Sequence, residues 1–144
     1  MRVRAIVVGA LLGLGAVAPG FAADAIEARQ TILKGIGDAT RPVAAMLKGE
    51  AAFDLATVKA ALKTQAEGAD KLADLFPDNS RTGKTEASPR IWAEKERFLA
   101  IYAKLAADAR AAESAISDEA SLKATFPKVV ANCKACHDDF RVKK

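Results

Sequence analysis

LKATFPKVVANCKACHDDF, residues 122–140, sets Leu122, Phe126, Val129, Cys133, Cys136 and Phe140 at mostly three- and four-residue steps. That spacing predicts an amphipathic helix with one apolar face. Ser117-Asp118 supplies the turn and cap before it, and Pro127 is expected to distort its first half. The same segment contains Cys133-Lys134-Ala135-Cys136-His137, a C-x-x-C-H sequence, which is the attachment signature of c-type haem. Two thiols three residues apart can add to the two vinyl groups on one porphyrin edge, and the imidazole that follows can reach the iron. On a helix, Cys133 and His137 stand four apart and share a face, so one element supplies both tether and ligand.

Other readings of the two cysteines fit less well. A redox dithiol belongs in a thioredoxin-like βαβ setting, and nothing in this sequence predicts strands. A structural zinc site takes four ligands, whereas the chain has two cysteines and one histidine. A plain disulfide leaves the adjacent His137 without a role. His137 stands seven residues before the C-terminus, with no methionine after it. The second axial partner of a haem iron therefore comes from upstream or is absent.

Working back from the motif, Ile91, Trp92, Phe98, Leu99, Tyr102, Leu105, Ala109 and Ile116 mark a third apolar stripe. Ser88-Pro89 starts it, because proline is tolerated in a first turn whose N–H has no partner. Residues 77–89 form the longest linker, with Asn79, Ser80, Gly83 and Ser88 as loop formers. Leu55, Val58, Leu62, Ala69, Leu72 and Phe76 predict a second helix over 55–76, after a break at 48–54 that contains Gly49. Ile26, Leu33, Ile36, Val43 and Leu47 predict a first helix over 24–47, with Pro42 as the point for a kink. Four amphipathic helices with mostly short connections predict an all-α fold, an antiparallel four-helix bundle in one domain. The composition agrees: 51% apolar but only 6% aromatic, with few β-branched runs, favours helix over sheet.

Residues 1–22 stand apart. Arg2 and Arg4 precede an apolar run over 5–18, and Gly20 and Ala22 occupy the −3 and −1 positions of a small-residue cleavage site. This is the pattern of a secretory signal peptide. As a membrane anchor the run falls short of the roughly 20 apolar residues that a span needs. Cleavage leaves residues 23–144 as the mature domain, with no further membrane-spanning run and with 20 basic against 18 acidic residues. So small an excess of positive charge gives no electrostatic support to a nucleic-acid role. Export also suits the motif, since c-type attachment is expected outside the cytoplasmic membrane.

Over essentially the whole mature length the sequence resembles the class II c-type cytochromes, the cytochromes c′. The resemblance rests on CKACHDDFR at 133–141, on Arg29-Gln30, on Lys48-Gly49 and on Pro89-Arg90-Ile91-Trp92. It implies a left-handed four-helix bundle with one haem c near one end, covalently attached through Cys133 and Cys136, and with His137 as the metal ligand. Members of the family differ at one position of the first helix. Low-spin members place a methionine there as sixth ligand, whereas the cytochromes c′ place a bulky residue that does not ligate. Registering the first helix on Arg29-Gln30 and Lys48-Gly49 without a gap puts Leu33 at that position, and leucine has no lone pair to donate. Met46, the sole methionine of the mature chain, lies 13 residues further on. That is roughly 20 Å along a helix at about 1.5 Å per residue, and Met46 reads as core filler.

The resemblance thus implies an iron held from one side, with Leu33 over an apolar distal face. Such a face admits small neutral diatomics such as NO or CO and offers bound oxygen no hydrogen-bond donor. The resemblance also assigns Arg29 to a haem propionate with Gln30 beside it, and Glu86 to a haem-contacting acidic position. It places Arg141, one turn after His137, where its charge tunes the imidazole. Read without the resemblance, Arg29 and Glu86 are solvated surface charges and Arg141 is a cation at a helix C-terminus. Trp92, Phe98 and Tyr102 read as core rather than as cofactor contacts. The function implied is that of a periplasmic monohaem cytochrome, not an enzyme, that exchanges electrons with a redox partner protein or binds NO or CO. A low-spin, six-coordinate electron carrier is the alternative. A homodimer through the first two helices is a further implication.

Overall fold

The structure, a computed structural model, describes residues 20–142. The expected leader lies outside the described residues except for Gly20, Phe21 and Ala22, which form the first turn of a helix. Five helices follow one another: α1 (Gly20–Leu47), α2 (Leu55–Leu72), α3 (Arg90–Ala93), α4 (Lys95–Ala115) and α5 (Glu119–Phe140). A single 3₁₀ turn, Asp78–Ser80, lies in the long linker.

The helix ends are written in local chemistry. Gly49 adopts φ +76°, and past the end of α1 the Glu50 N–H donates to Ala45 O at 2.9 Å while Gly49 N–H donates to Met46 O at 3.1 Å. These two bonds form a Schellman stop, and its left-handed residue is the glycine that the sequence supplies. The Asp54 carboxylate accepts from the Ala56 and Thr57 N–H groups at 3.2 and 3.3 Å and starts α2. Asp118 and Ser121 form a reciprocal capping box at the start of α5. Hydrogen bonds from Ser121 hold the Asp118 carboxyl below the usual carboxylate range.

Two expectations are corrected. The second helix stops at Leu72 rather than Phe76, where Leu75 N–H turns back to Leu72 O at 3.1 Å and tightens the chain out of the α pattern. The third apolar stripe is broken at Glu94, whose φ and ψ of −120° and 44° are not helical. The break lets Trp92 Nε1 and Lys95 Nζ both donate to the Phe76 carbonyl, at 3.1 and 2.5 Å. Arg90 and Arg97, one on each side of the break, both pair with Glu94 at 2.8 and 2.7 Å. Pro42 and Pro127 lie inside α1 and α5 without ending either helix.

The long helices pack in sequence as neighbours: α1 on α2, α2 on α4, and α4 on α5. The result is an antiparallel four-helix bundle. Its centre is aromatic, with Phe98 meeting Phe76, Tyr102 and Phe140 edge-on at centroid separations of 4.7, 5.0 and 5.2 Å. Phe98 is only 1% exposed, and truncating a buried ring of this kind typically costs about 3–5 kcal/mol. The fourth side is different, because α1 and α5 are not packed closely against each other. Among the described residues, no helix is long and apolar enough to cross a membrane.

Candidate functional site

The space left between α1 and α5 is a cavity of about 1070 Å³, reaching across to α4 and to the 84–87 segment. All eight residues singled out from the sequence line it: Arg29, Gln30 and Leu33 from α1, Glu86 from the linker, and Cys133, Cys136, His137 and Arg141 from the end of the chain. These positions are up to 112 residues apart in sequence (29 to 141), and the bundle brings them to one place.

The helix carrying the motif presents Cys133 and Cys136 as free, half-buried thiols. Burial pushes the Cys133 thiol up, and burial together with the Cys133 and Asp139 charges pushes Cys136 up to about 11. Both thiols are therefore protonated at neutral pH. His137 shifts the other way: burial and then the Arg141 charge lower it, against opposition from Asp138 and Glu86. Its imidazole is neutral at pH 7 and keeps a nitrogen lone pair for a metal.

Arg29 is the most unusual group in the cavity wall. It is 2% exposed, and desolvation lowers its pKa. Nη1 donates to Leu75 O at 3.2 Å and to Ser80 Oγ at 3.0 Å, and Nη2 donates to Ser80 O at 3.1 Å and to Thr85 Oγ1 at 2.8 Å. The guanidinium also lies 4.6 Å above the Phe76 ring. All four acceptors are neutral, so the buried cation is oriented by the chain without being neutralised by these bonds. Those four bonds take up all four N–H groups of Nη1 and Nη2, so a carboxylate entering the cavity would meet the positive charge and the remaining Nε–H. Arg29 is thus a buried group and not a solvated surface charge. Gln30 is exposed, and its Nε2 donates to Lys84 O at 2.7 Å, tying α1 to the linker.

Glu86 and Arg141, read separately from the sequence, pair with each other: Arg141 Nε donates to Glu86 Oε2 at 2.7 Å, and Nη2 shares the same oxygen. The backbone repeats the link. Ala87 and Arg141 form an antiparallel bridge, flanked by Ser88 N–H to Phe140 O at 2.9 Å and Val142 N–H to Glu86 O at 2.8 Å. The linker is thereby stapled to the turn of α5 that carries His137.

Leu33 is 37% exposed and faces the cavity lining, whereas Met46 is 6% exposed in the core and is not among the lining residues. Phe98 and Tyr102 belong both to the core and to the cavity wall. Trp92 is half-buried and stands outside the lining, packed on Phe76. Sequence reasoning missed the anchors of Arg29, Ser80 and Thr85. Ser80 appeared only as a loop former, and no local signal announces a partner 51 or 56 residues away.

Among the described residues no group of three or more His, Cys, Asp or Glu side chains could hold a bare metal ion. The donor set instead fits a porphyrin: two thiols and one imidazole within five residues of a helix, a largely apolar cavity, and a buried cation for carboxylates. Comparison with known proteins gives the same answer. Residues 24–141 match the family described as cytochrome C′. A cytochrome c′ of Rhodopseudomonas palustris is 51% identical over 148 aligned positions, covering 100% of this chain and 99% of that one. A cytochrome c-556 of Agrobacterium fabrum is 36% identical, with 100% and 99% covered. A solved cytochrome c′ structure from Rhodopseudomonas palustris superposes with a TM-score of 0.82 at 55% identity, covering 84% of this chain and 98% of that one.

Proposed function

Because this chain belongs to the cytochrome c′ family of c-type cytochromes with one covalent haem c, whose fold is itself a standard example of the four-helix bundle, we propose the following function. The protein is an exported haem protein in which His137 is the one iron ligand from the chain and the opposite position stays open. The observation that carries this reading is Leu33, a side chain with no donor atom that lines the cavity while Met46 is packed into the core away from it. In this reading Cys133 and Cys136 form the two thioether links. Arg29, held in place by Ser80, Leu75 and Thr85, takes a propionate through its charge and remaining Nε–H, with Gln30 beside it. The staple between Glu86 and Arg141 holds the end of α5 in place, and the Arg141 charge next to the imidazole disfavours added positive charge there.

The haem supplies a reversible one-electron iron couple and a coordination position. The chain's part is to tether it, to exclude a second protein ligand, and to surround the open side with hydrocarbon. Two uses follow: electron exchange with a redox partner protein, and binding of NO or CO. The leader at 1–22 and the attachment motif together support a periplasmic location for residues 23–144. A homodimer through α1 and α2 belongs to the same reading. The low-spin alternative requires a donor other than Met46.

The ferric protein tests the coordination. Electron paramagnetic resonance of the purified oxidised protein is expected to give a high-spin signal. A purely low-spin signal would overturn the open position and favour the six-coordinate carrier.

A further inference from the structure

Asn132 directly precedes Cys133 and is the one polar side chain among the buried residues of α5. Asparagine is a weak helix former, and a buried amide costs free energy unless its hydrogen bonds are made. Here its Nδ2 donates to Asp108 Oδ2 on α4 at 2.8 Å and to Val129 O on its own helix at 3.0 Å. An ionised carboxylate can only accept, so the amide nitrogen is the group turned toward α4. Asp108 also pairs with Lys104 at 2.5 Å, and the bonds from Lys104 and Asn132 hold its carboxyl below the usual carboxylate range.

Seven residues further along α5, Asp139 makes a second link to the same neighbour through Arg97. Asn132 and Asp139 stand two turns apart and so share the face of α5 that meets α4. Arg97 and Asp108 stand three turns apart on α4, in the reversed order that antiparallel helices require. A helix gripped at two points on one face resists both turning about its axis and sliding. Cys133, Cys136 and His137 lie between the two grips and line the cavity. Their directions are therefore set from α4 as well as from α5.

We propose that Asn132 and Asp139 are positioning residues for the haem. Through Asp108 and Arg97 they fix the rotation of the turn over 133–137, and with it the orientation in which the two thioethers and the imidazole hold the group. This rests on the roles given above to Cys133, Cys136 and His137, and it requires no particular occupant of the open side. Both residues act through the helix that carries the motif, so the haem's orientation is expected to respond to bonds made on α4.

The test compares the Soret-band circular dichroism of the haem-loaded protein and its variants, which reads how the haem is oriented against its surroundings. Asn132→Asp sets two carboxylates against each other and is expected to shift the band. Adding Asp108→Asn restores one donor amide and one acceptor carboxylate, and should return the band to its unaltered form. Arg97→Ala, at an exposed position, releases the other grip and is also expected to shift the band. Arg110→Ala is the control, because Arg110 ties α4 to Asp70 of α2 and does not line the cavity. It is expected to lower the unfolding temperature slightly and to leave the band in place. An unshifted band in a folded Asn132→Asp would overturn the proposal. Where that variant fails to fold, an unshifted band in Arg97→Ala would do so. An equal shift in Arg110→Ala, or no recovery in the exchanged pair, would overturn it as well. A low-spin ferric signal from the unaltered protein would overturn the open position alone, and the same Soret comparison would still decide the two grips.

Discussion

A Cys133→Ala/Cys136→Ala double variant is expected to surrender all of its pigment when the denatured protein is extracted with acidified organic solvent, whereas the unaltered chain retains it. The reason is covalent. Both thiols line the cavity on one helix, three residues apart and within one turn of His137, and each removes one bond when replaced. Retention of pigment in the double variant would mean that the tether lies elsewhere, and the site as described would be wrong. A second consequence concerns stability. A group held only by the folded state stabilises that state, and a cavity of about 1070 Å³ between α1 and α5 is a large space to leave without its occupant. The double variant is therefore expected to unfold at a lower temperature than the loaded protein, measured by helix signal in circular dichroism.

Replacing Leu33 with methionine is expected to change the coordination of the iron. Leucine and methionine have similar volumes, so the exchange costs less than about 1.5 kcal/mol and the bundle survives. The variant differs in one respect that matters: it offers a thioether sulfur where the native side chain offers hydrocarbon. If that sulfur occupies the open position about 99% of the time, the apparent affinity for CO falls about a hundredfold, because only the unoccupied fraction can bind. The ferric spectrum should become low-spin at the same time. An unchanged spectrum and an unchanged CO affinity would show that Leu33 does not face the iron, and the register of α1 on Arg29-Gln30 would have to be abandoned.

Much of this was legible in the sequence, and the parts that were not have physical reasons. The long helices announce themselves because Leu55, Val58, Leu62 and Leu72 recur at helical spacing and all are half-buried or buried where the pattern puts them. The stop at Gly49 and the starts at Asp54 and Asp118 are local chemistry and are equally readable. The break at Glu94 carries no glycine or proline, and the apolar period runs straight through it. It accompanies the hydrogen bonds from Trp92 and Lys95 to the Phe76 carbonyl 16 and 19 residues back, which no window of sequence can register.

The site divides along the same line. Cys133, Cys136 and His137 are contiguous, so their chemistry is visible in five residues. Arg29 is not, because an arginine on an amphipathic helix ordinarily marks the solvated side. Its burial depends on Ser80 and Thr85 arriving from a linker whose composition says only that it is irregular. The pairing of Glu86 with Arg141 rests on a two-stranded bridge too short to show any alternation. The open side of the bundle, where α1 and α5 stand apart, is a property of helix packing and leaves no trace in either helix alone.

If the chain reaches the iron from His137 alone, the absorption spectrum of the purified, reduced protein before and after addition of CO reads it directly. A broad high-spin spectrum that shifts on CO addition is the predicted result. Sharp low-spin bands that CO leaves unmoved would contradict it.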